Sequence, residues 1–204
     1  LPADGVVVLS HDEDLYRTAN DPRTVGEVMW AELADLDSGD GRGFVRLDDA
    51  LYAHPEMKFN IDLKDSSVVQ AALQTVRDAQ ALDRVRFASF SARRLAVLRR
   101  QEPRVMTSLG VSDVLGLMLR SEAAVPLPQT RWGWTRGRVD AVQVPESYHG
   151  VPVVTRRFVA SAHIAGLEVH VWTVDDPERM RHLADLNVDA IMTDVPSLAL
   201  KTLG

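Results

Sequence analysis

Apolar, β-branched runs recur along the chain at Val6 to Leu9, Phe59 to Leu63, Val85 to Ala88, Ala141 to Val144, Val169 to Val174 and Ala190 to Met192, with a weaker one at Val105 to Leu109. Their length and residue types predict strands. Between them the apolar positions take helical spacing: Val68, Val69, Ala72, Leu73 and Val76 fit one face, as do Leu95 with Leu98, Val159 with Ala162, and Met180, Leu183 and Leu186. The expected helix ends agree with this periodicity. Thr24 with Glu27 has the spacing of a capping box, Thr155 precedes a helix that Gly166 can end, and Asp176-Pro177 is an N-cap followed by proline at the first helical position. Strand and helix therefore alternate, which implies a parallel sheet with helical crossovers, either a closed barrel or a doubly wound sheet. Periodicity does not choose between them. From Ser121 to Arg138 the rhythm breaks, because Pro126, Pro128, Trp132, Gly133, Trp134 and Gly137 oppose a regular helix and predict an irregular loop or short insert.

Composition narrows the classes of function. With 204 residues, 46% of them hydrophobic, the expectation is one domain, residues 1–204, with a sizeable core. The 23 Lys and Arg are scattered among 29 Asp and Glu, for a net charge of −6, so no basic stripe favours nucleic acid as a partner. The absence of cysteine excludes disulfides, thiolate metal sites and thiol nucleophiles. Apolar stretches such as Val114 to Leu119 fall far short of the roughly 20 residues of a membrane span, and no charged-then-apolar signal segment opens the chain. A soluble, cytoplasmic protein is the default expectation, with the oligomeric state open. Leu1 stands in place of Met, and Ala3-Asp4-Gly5 is a turn leading directly into a strand, so the start reads as mid-domain sequence.

Several residues could carry chemistry. Along Phe59-Asn60-Ile61-Asp62-Leu63-Lys64, side chains alternate, placing Asn60, Asp62 and Lys64 opposite an apolar face. If that polar face points into a barrel, unpaired charges there would be costly, which suggests a ligand site; mutual pairing at the strand's end is the plainer alternative. His11 follows Val6 to Leu9 together with Asp12, Glu13 and Asp14, at the carboxyl end of the strand, where barrels carry their active sites. The acidic residues could raise its pKa or simply form a solvated turn. Glu168, His170 and Trp172 share one face of their strand, and Trp172 is either a platform for substrate or a lid on the core. Ser89-Phe90 and Thr193-Asp194 also end strands, as site residues or as caps. His54, His149, His163 and His182 lack metal-ligand spacing and read as structural or surface residues. No phosphate-cradling glycine loop, Gly-x-Ser-x-Gly elbow or dinucleotide fingerprint occurs.

The run from Asp4-Gly5 through Ser10-His11-Asp12 to Leu15-Tyr16-Arg17-Thr18-Ala19-Asn20 resembles the glycerophosphodiester phosphodiesterase family, whose pattern there is Asp-Gly, a hydrophobic strand, His-Asp, then Leu-x-Arg-Thr-x-Asn. The likeness continues in order through Asn60-Ile61-Asp62-Leu63-Lys64, Ser89-Phe90, Val169-His170-Val171-Trp172-Thr173-Val174 and Thr193-Asp194-Val195-Pro196. The resemblance implies an α/β fold, a TIM-type (β/α)8 barrel of the PLC-like phosphodiesterase kind. It implies metal-dependent hydrolysis of a small-molecule glycerophosphodiester to glycerol 3-phosphate and an alcohol, with Mg²⁺ or Ca²⁺ as cofactor. His11 corresponds to the family's second catalytic histidine, and Asp62 to a metal-binding position usually held by Glu. Lys64 corresponds to the lysine facing the same site, and Trp172 is then a candidate to pack on the glycerol carbons. The family's opening strand with His-Arg-Gly, and the next with Glu-x-Asp, do not occur in this chain. The barrel is therefore expected to be incomplete at its N-terminus, and the chain alone to be inactive. Alternative readings are a catalytically inactive phosphate-binding barrel, or a barrel acting on another phosphodiester such as a phospholipid headgroup, for which Trp132 to Trp134 would supply an apolar mouth.

Overall fold

Apolar residues at helical and alternating spacing fold where the periodicity places them, with one exception at the start. The structure, a computed structural model, describes residues 1–39, 41–122 and 138–204. The insert expected between Ser121 and Arg138, including Trp132 to Trp134, lies almost entirely outside the described residues. The chain forms two compact units, residues 1–85 and residues 86–204.

In the first unit, β1 (Val8–Leu9) is followed by α1 (Tyr16–Ala19), a 3₁₀ turn at Val25–Glu27, α2 (Trp30–Ala34) and β2 (Val45–Arg46). β1 pairs antiparallel with β2, Val8 opposite Arg46 and Leu9 opposite Val45. The run at Val6 to Leu9 therefore forms part of a two-stranded antiparallel sheet. Leu15, Val25, Val28 and Leu33 are buried beneath it, with Trp30 and Phe44 against them. The Thr24 capping box forms as expected, and the element it opens is a single 3₁₀ turn. Next come α3 (Leu47–Ala53), β3 (Phe59–Asp62) and α4 (Val68–Asp78). Val69, Ala72, Leu73 and Val76 of α4 are buried at the i, i+3, i+4, i+7 spacing of one helical face. Burying a valine or leucine fully is worth roughly 1.5–3 kcal/mol, so this stripe rather than intrinsic propensity fixes the helix. Arg84 closes the unit: its guanidinium donates to the carbonyls of Leu51 at 2.8 Å and of His54 and Met57 at 3.0 Å, and lies 5.4 Å from the centre of the Phe59 ring. One carbonyl of the last turn of α3 and two of the α3–β3 connection are satisfied by one side chain.

The second unit continues β4 (Val85–Ala88), whose first residue ends the first unit, with α5 (Ala92–Gln101), β5 (Met106–Ser108), α6 (Val111–Glu122) and β6 (Arg138–Pro145). A small hairpin, β7 (Ser147–Tyr148) with β8 (Val151–Pro152), leads to α7 (Arg156–Ile164), β9 (Glu168–Trp172), α8 (Pro177–Asp185), β10 (Ala190–Ile191) and α9 (Pro196–Leu203). β4, β5, β6, β9 and β10 are parallel neighbours in that order. Val142 and Val144 of β6 and Val169 and Val171 of β9 meet Phe158, Val159 and Ala162 of α7 and Met180 and Leu183 of α8 in one buried cluster. The expected caps are present: Thr155 Oγ1 accepts from Phe158 N–H at 3.1 Å, and Asp176 Oδ1 from Arg179 N–H at 2.9 Å.

Candidate active site

β3 supplies the first polar pair. Asp62 and Lys64 stand two residues apart, hence on one side of the extended chain, and Lys64 Nζ lies 2.8 Å from Asp62 Oδ2. Leu63 between them is buried. Both charged side chains keep substantial exposure, 32% and 51%, so their attraction is worth at most about 1 kcal/mol. The mutual pairing left open by the sequence is thus what the pair does at rest.

His11 is held by its own motif. Its Nδ1 lies 2.6 Å from Asp12 Oδ1, and Arg17 Nε donates to Asp12 Oδ2, also at 2.6 Å. The hydrogen bond to His11 first, and the one from Arg17 second, hold the Asp12 carboxyl below its usual range. Of the acidic cluster, Asp12 is the residue on the imidazole, whereas Asp14 Oδ1 caps the next turn by accepting from Tyr16 N–H at 3.0 Å. The remaining motif residues are accounted for physically. Leu15 is fully buried, Arg17 reaches back to Asp12, and Asn20 ends α1 in a left-handed conformation, φ 52°, with its N–H on Tyr16 O. Because β1 is antiparallel to β2, the location of His11 does not follow from parallel-strand geometry; the argument from the carboxyl end of a barrel strand is corrected on that point.

In the second unit, Trp172 ends β9 and its ring meets Phe90, just past β4, edge to face with centroids 5.9 Å apart. Ser89 is buried and its hydroxyl accepts from Arg94 Nη1 at 2.8 Å and from Ser91 N–H at 3.2 Å, anchoring the start of α5. Asp175 Oδ1 accepts from the Thr193 hydroxyl at 2.8 Å and from Asp194 N–H at 2.9 Å, so the chain after Trp172 is tied to the chain after β10. Gly110, past β5, has no room for a side chain, since a Cβ there would lie 2.6 Å from Ala92 Cα. Ser89, Phe90, Trp172, Thr193 and Asp194 all sit at the carboxyl ends of parallel strands, the end where barrels place catalytic groups.

Glu168 and His170 share the strand face of Trp172 but belong to a different structure. Arg86 of β4 makes two hydrogen bonds to Asp140 of β6, at 3.0 and 3.1 Å, one to Glu168 at 2.8 Å, and lies 3.2 Å from His170 Nε2. His170 Nε2 is also 3.0 Å from Glu168 Oε2. Burial disfavours the charge on Arg86, but the hydrogen bonds and charge of Asp140, joined by Glu168, outweigh it and raise its pKa. Burial is also the largest influence on His170 and takes its pKa below the usual value against the pull of Glu168. Asp140 reaches this cluster through a bulge. Thr107 pairs with Val139 and Ser108 with Ala141, so Asp140 is an extra residue whose side chain leaves the Val142 and Val144 face. The cluster lies at the amino ends of the strands, where barrels are stabilised rather than catalytic. No local pattern marks the cluster, because its charges are up to 82 residues apart; an arginine inside the apolar run Val-Arg-Phe-Ala is its one local sign. His163, read from the sequence as a structural or surface residue, has Nε2 2.8 Å from Asp189 Oδ2.

Among the described residues, no group of three or more His, Asp or Glu side chains converges as a metal site requires. Asp62 brings one carboxylate, already paired with an ammonium, whereas Mg²⁺ or Ca²⁺ takes six or more oxygens. These residues by themselves do not fit the cation.

Parallel strands joined by helices, with polar and aromatic side chains gathered at their carboxyl ends, define an α/β fold of the TIM-barrel type. Solved structures share it. A glycerophosphodiester phosphodiesterase from Agrobacterium tumefaciens matches with a TM-score of 0.74 at 25% identity, over 98% of this chain and 82% of that one. An Oleispira antarctica phosphodiesterase in complex with the product sn-glycerol-3-phosphate matches with a TM-score of 0.79 at 19% identity, over 100% of this chain and 81% of that one. A Mycobacterium tuberculosis protein named probable glycerophosphodiester phosphodiesterase 2 is 37% identical over 193 residues, 94% of this chain and 72% of that protein. Residues 1–198 match the glycerophosphoryl diester phosphodiesterase family, and the chain belongs to it. Among the described residues no helix is long and apolar enough to cross a membrane.

Proposed function

We propose that the protein hydrolyses glycerophosphodiesters to sn-glycerol 3-phosphate and an alcohol. The family match across residues 1–198 carries this reading. Within it, His11 is the general acid: with Nδ1 turned to Asp12, Nε2 is the nitrogen that gives a proton to the departing alcohol oxygen as the P–O bond breaks. Lys64 supplies positive charge to the phosphoryl oxygens, and Trp172, braced by Phe90, packs on the glycerol carbons. Asp62 is assigned as one oxygen donor for Mg²⁺ or Ca²⁺, a role that needs further donors beyond those described. The test is release of glycerol 3-phosphate from glycerophosphocholine by the full-length gene product, coupled to glycerol-3-phosphate dehydrogenase and read as NADH formation. Binding of glycerol 3-phosphate with no turnover of any diester, with or without added Mg²⁺ or Ca²⁺, would favour a non-catalytic phosphate-binding barrel instead.

A further inference from the structure

At the carboxyl end of the parallel sheet, Pro145, the last residue of β6, is the ladder partner of Trp172. The chain therefore leaves the sheet directly beside the residue assigned to the substrate, and it leaves as a hairpin. Ser147 pairs with Pro152 and Tyr148 with Val151, around a turn in which His149 and Gly150 both take positive φ, 49° and 80°. Two positive φ values in succession make a tight, twisted turn with little freedom. Two pairs of residues do not hold a hairpin in water by themselves. This one is fastened at its base, where the Glu146 carbonyl accepts from Val153 N–H at 2.9 Å and Val154 N–H at 3.1 Å, and the Glu146 carboxylate is paired with Arg179 of α8. What the fastened hairpin presents is apolar and aromatic. Tyr148 is 65% exposed, its cross-strand partner Val151 is 60% exposed, and the Tyr148 ring meets the His149 ring edge to face at 4.3 Å.

We infer that this hairpin is the specificity element for the alcohol half of the diester, and that it favours alcohols carrying an N-methylated ammonium. The inference rests on the proposed hydrolysis. If Trp172 takes the glycerol carbons, the alcohol on the other side of the phosphorus is the part that extends beyond the strand ends, and the neighbouring exit from the sheet is the hairpin. A methylated ammonium has both the apolar surface to cover Val151 and the charge to meet the face of Tyr148. Primary ammonium and neutral polyol alcohols remain better hydrated and gain less from such a surface.

The experiment compares kcat/KM for glycerophosphocholine, glycerophosphoethanolamine and glycerophosphoglycerol in the wild-type full-length protein and in Tyr148→Ala and Val151→Ser. Circular dichroism melts serve as the folding control. The wild type should favour the choline diester, and Tyr148→Ala should lower its kcat/KM roughly 5-fold while changing the other two less than about 2-fold. An equal loss on all three diesters, or no loss on any, would overturn the inference while leaving the hydrolysis intact. Unchanged rates on the soluble diesters with lost binding to anionic phospholipid vesicles would also overturn it, assigning the hairpin to a membrane surface. No glycerol 3-phosphate from any diester in the wild type would sink the hydrolysis reading, and the inference with it.

Discussion

Replacing Arg86 by Met tests how the amino end of the sheet is held. Arg86 is 15% exposed and Asp140 14%, so their two hydrogen bonds lie largely out of water, whereas Glu168 is 51% exposed and contributes little. Opposite charges about 4 Å apart attract by roughly 4 kcal/mol at an effective dielectric constant near 20. Part of that gain offsets the desolvation of Arg86, which the variant no longer bears. Removing one member of a buried pair nevertheless leaves the other uncompensated, which costs roughly 3–5 kcal/mol in fully buried cases. Because the cluster is not fully enclosed, Arg86→Met should cost about 3 kcal/mol, the lower end of that range. For a chain of 204 residues that corresponds to a fall in Tm of roughly 6–12 °C. Adding Asp140→Leu removes the orphaned carboxylate, and the double variant should regain at least half of the loss. Thermal and urea denaturation at pH 7 measure both. An Arg86→Met variant within about 1 kcal/mol of wild type, or a double variant no more stable than the single one, would refute the assignment. Activity below the melting range should be nearly unchanged, since the cluster stands at the opposite ends of the strands from Trp172.

The same cluster sets a pH dependence. His170 has a lowered folded pKa, so as pH falls below about 6.5 the unfolded chain takes up the proton first, and stability declines down through the folded pKa. Urea midpoints at pH 7.5 and pH 5 should therefore differ less in His170→Gln than in wild type; an identical difference would remove His170 from the account. His11→Ala should lower turnover of glycerophosphocholine by roughly 10² to 10⁴-fold with an unchanged melting curve, and wild-type turnover would end its assignment as general acid. Asp62→Asn should weaken Mg²⁺ or Ca²⁺ binding by the full-length protein in calorimetric titration. Unchanged affinity would make Asp62 simply the partner of Lys64.

Much of the fold was legible because burial imposes a period. The stripe Val69, Ala72, Leu73 and Val76 could lie in no other element, and the caps Thr155 and Asp176 are local chemistry that needs no tertiary knowledge. β2 was not legible, because two residues are too few to show alternation; the turn at Ala3-Asp4-Gly5 pointed to a hairpin-like strand at Val6 to Leu9, but not to β2 as its antiparallel partner. The candidate site was legible where one strand carries its members, as with Asp62 and Lys64. It was hidden where partners come from separate strands. Asp175 joins Thr193 and Asp194 from 18 and 19 residues away, and Arg86 gathers charges from β6 and β9. Such contacts depend on strand order, which periodicity leaves undetermined.

The extra residue at Asp140 gives β6 two phases of side-chain alternation, one on each side of the bulge. Anyone exchanging mouths between related barrels meets this directly. A graft beginning at or after Ala141 inherits the phase that keeps Val142 and Val144 against the helices, and can carry a new hairpin without touching Asp140. A graft that starts earlier and omits one residue would turn the rest of β6 over, sending its valines away from α7 and drawing Pro145 out of step with Trp172. The safe joint for recombining binding loops on this scaffold is therefore fixed by a single irregularity at the far end of the strand.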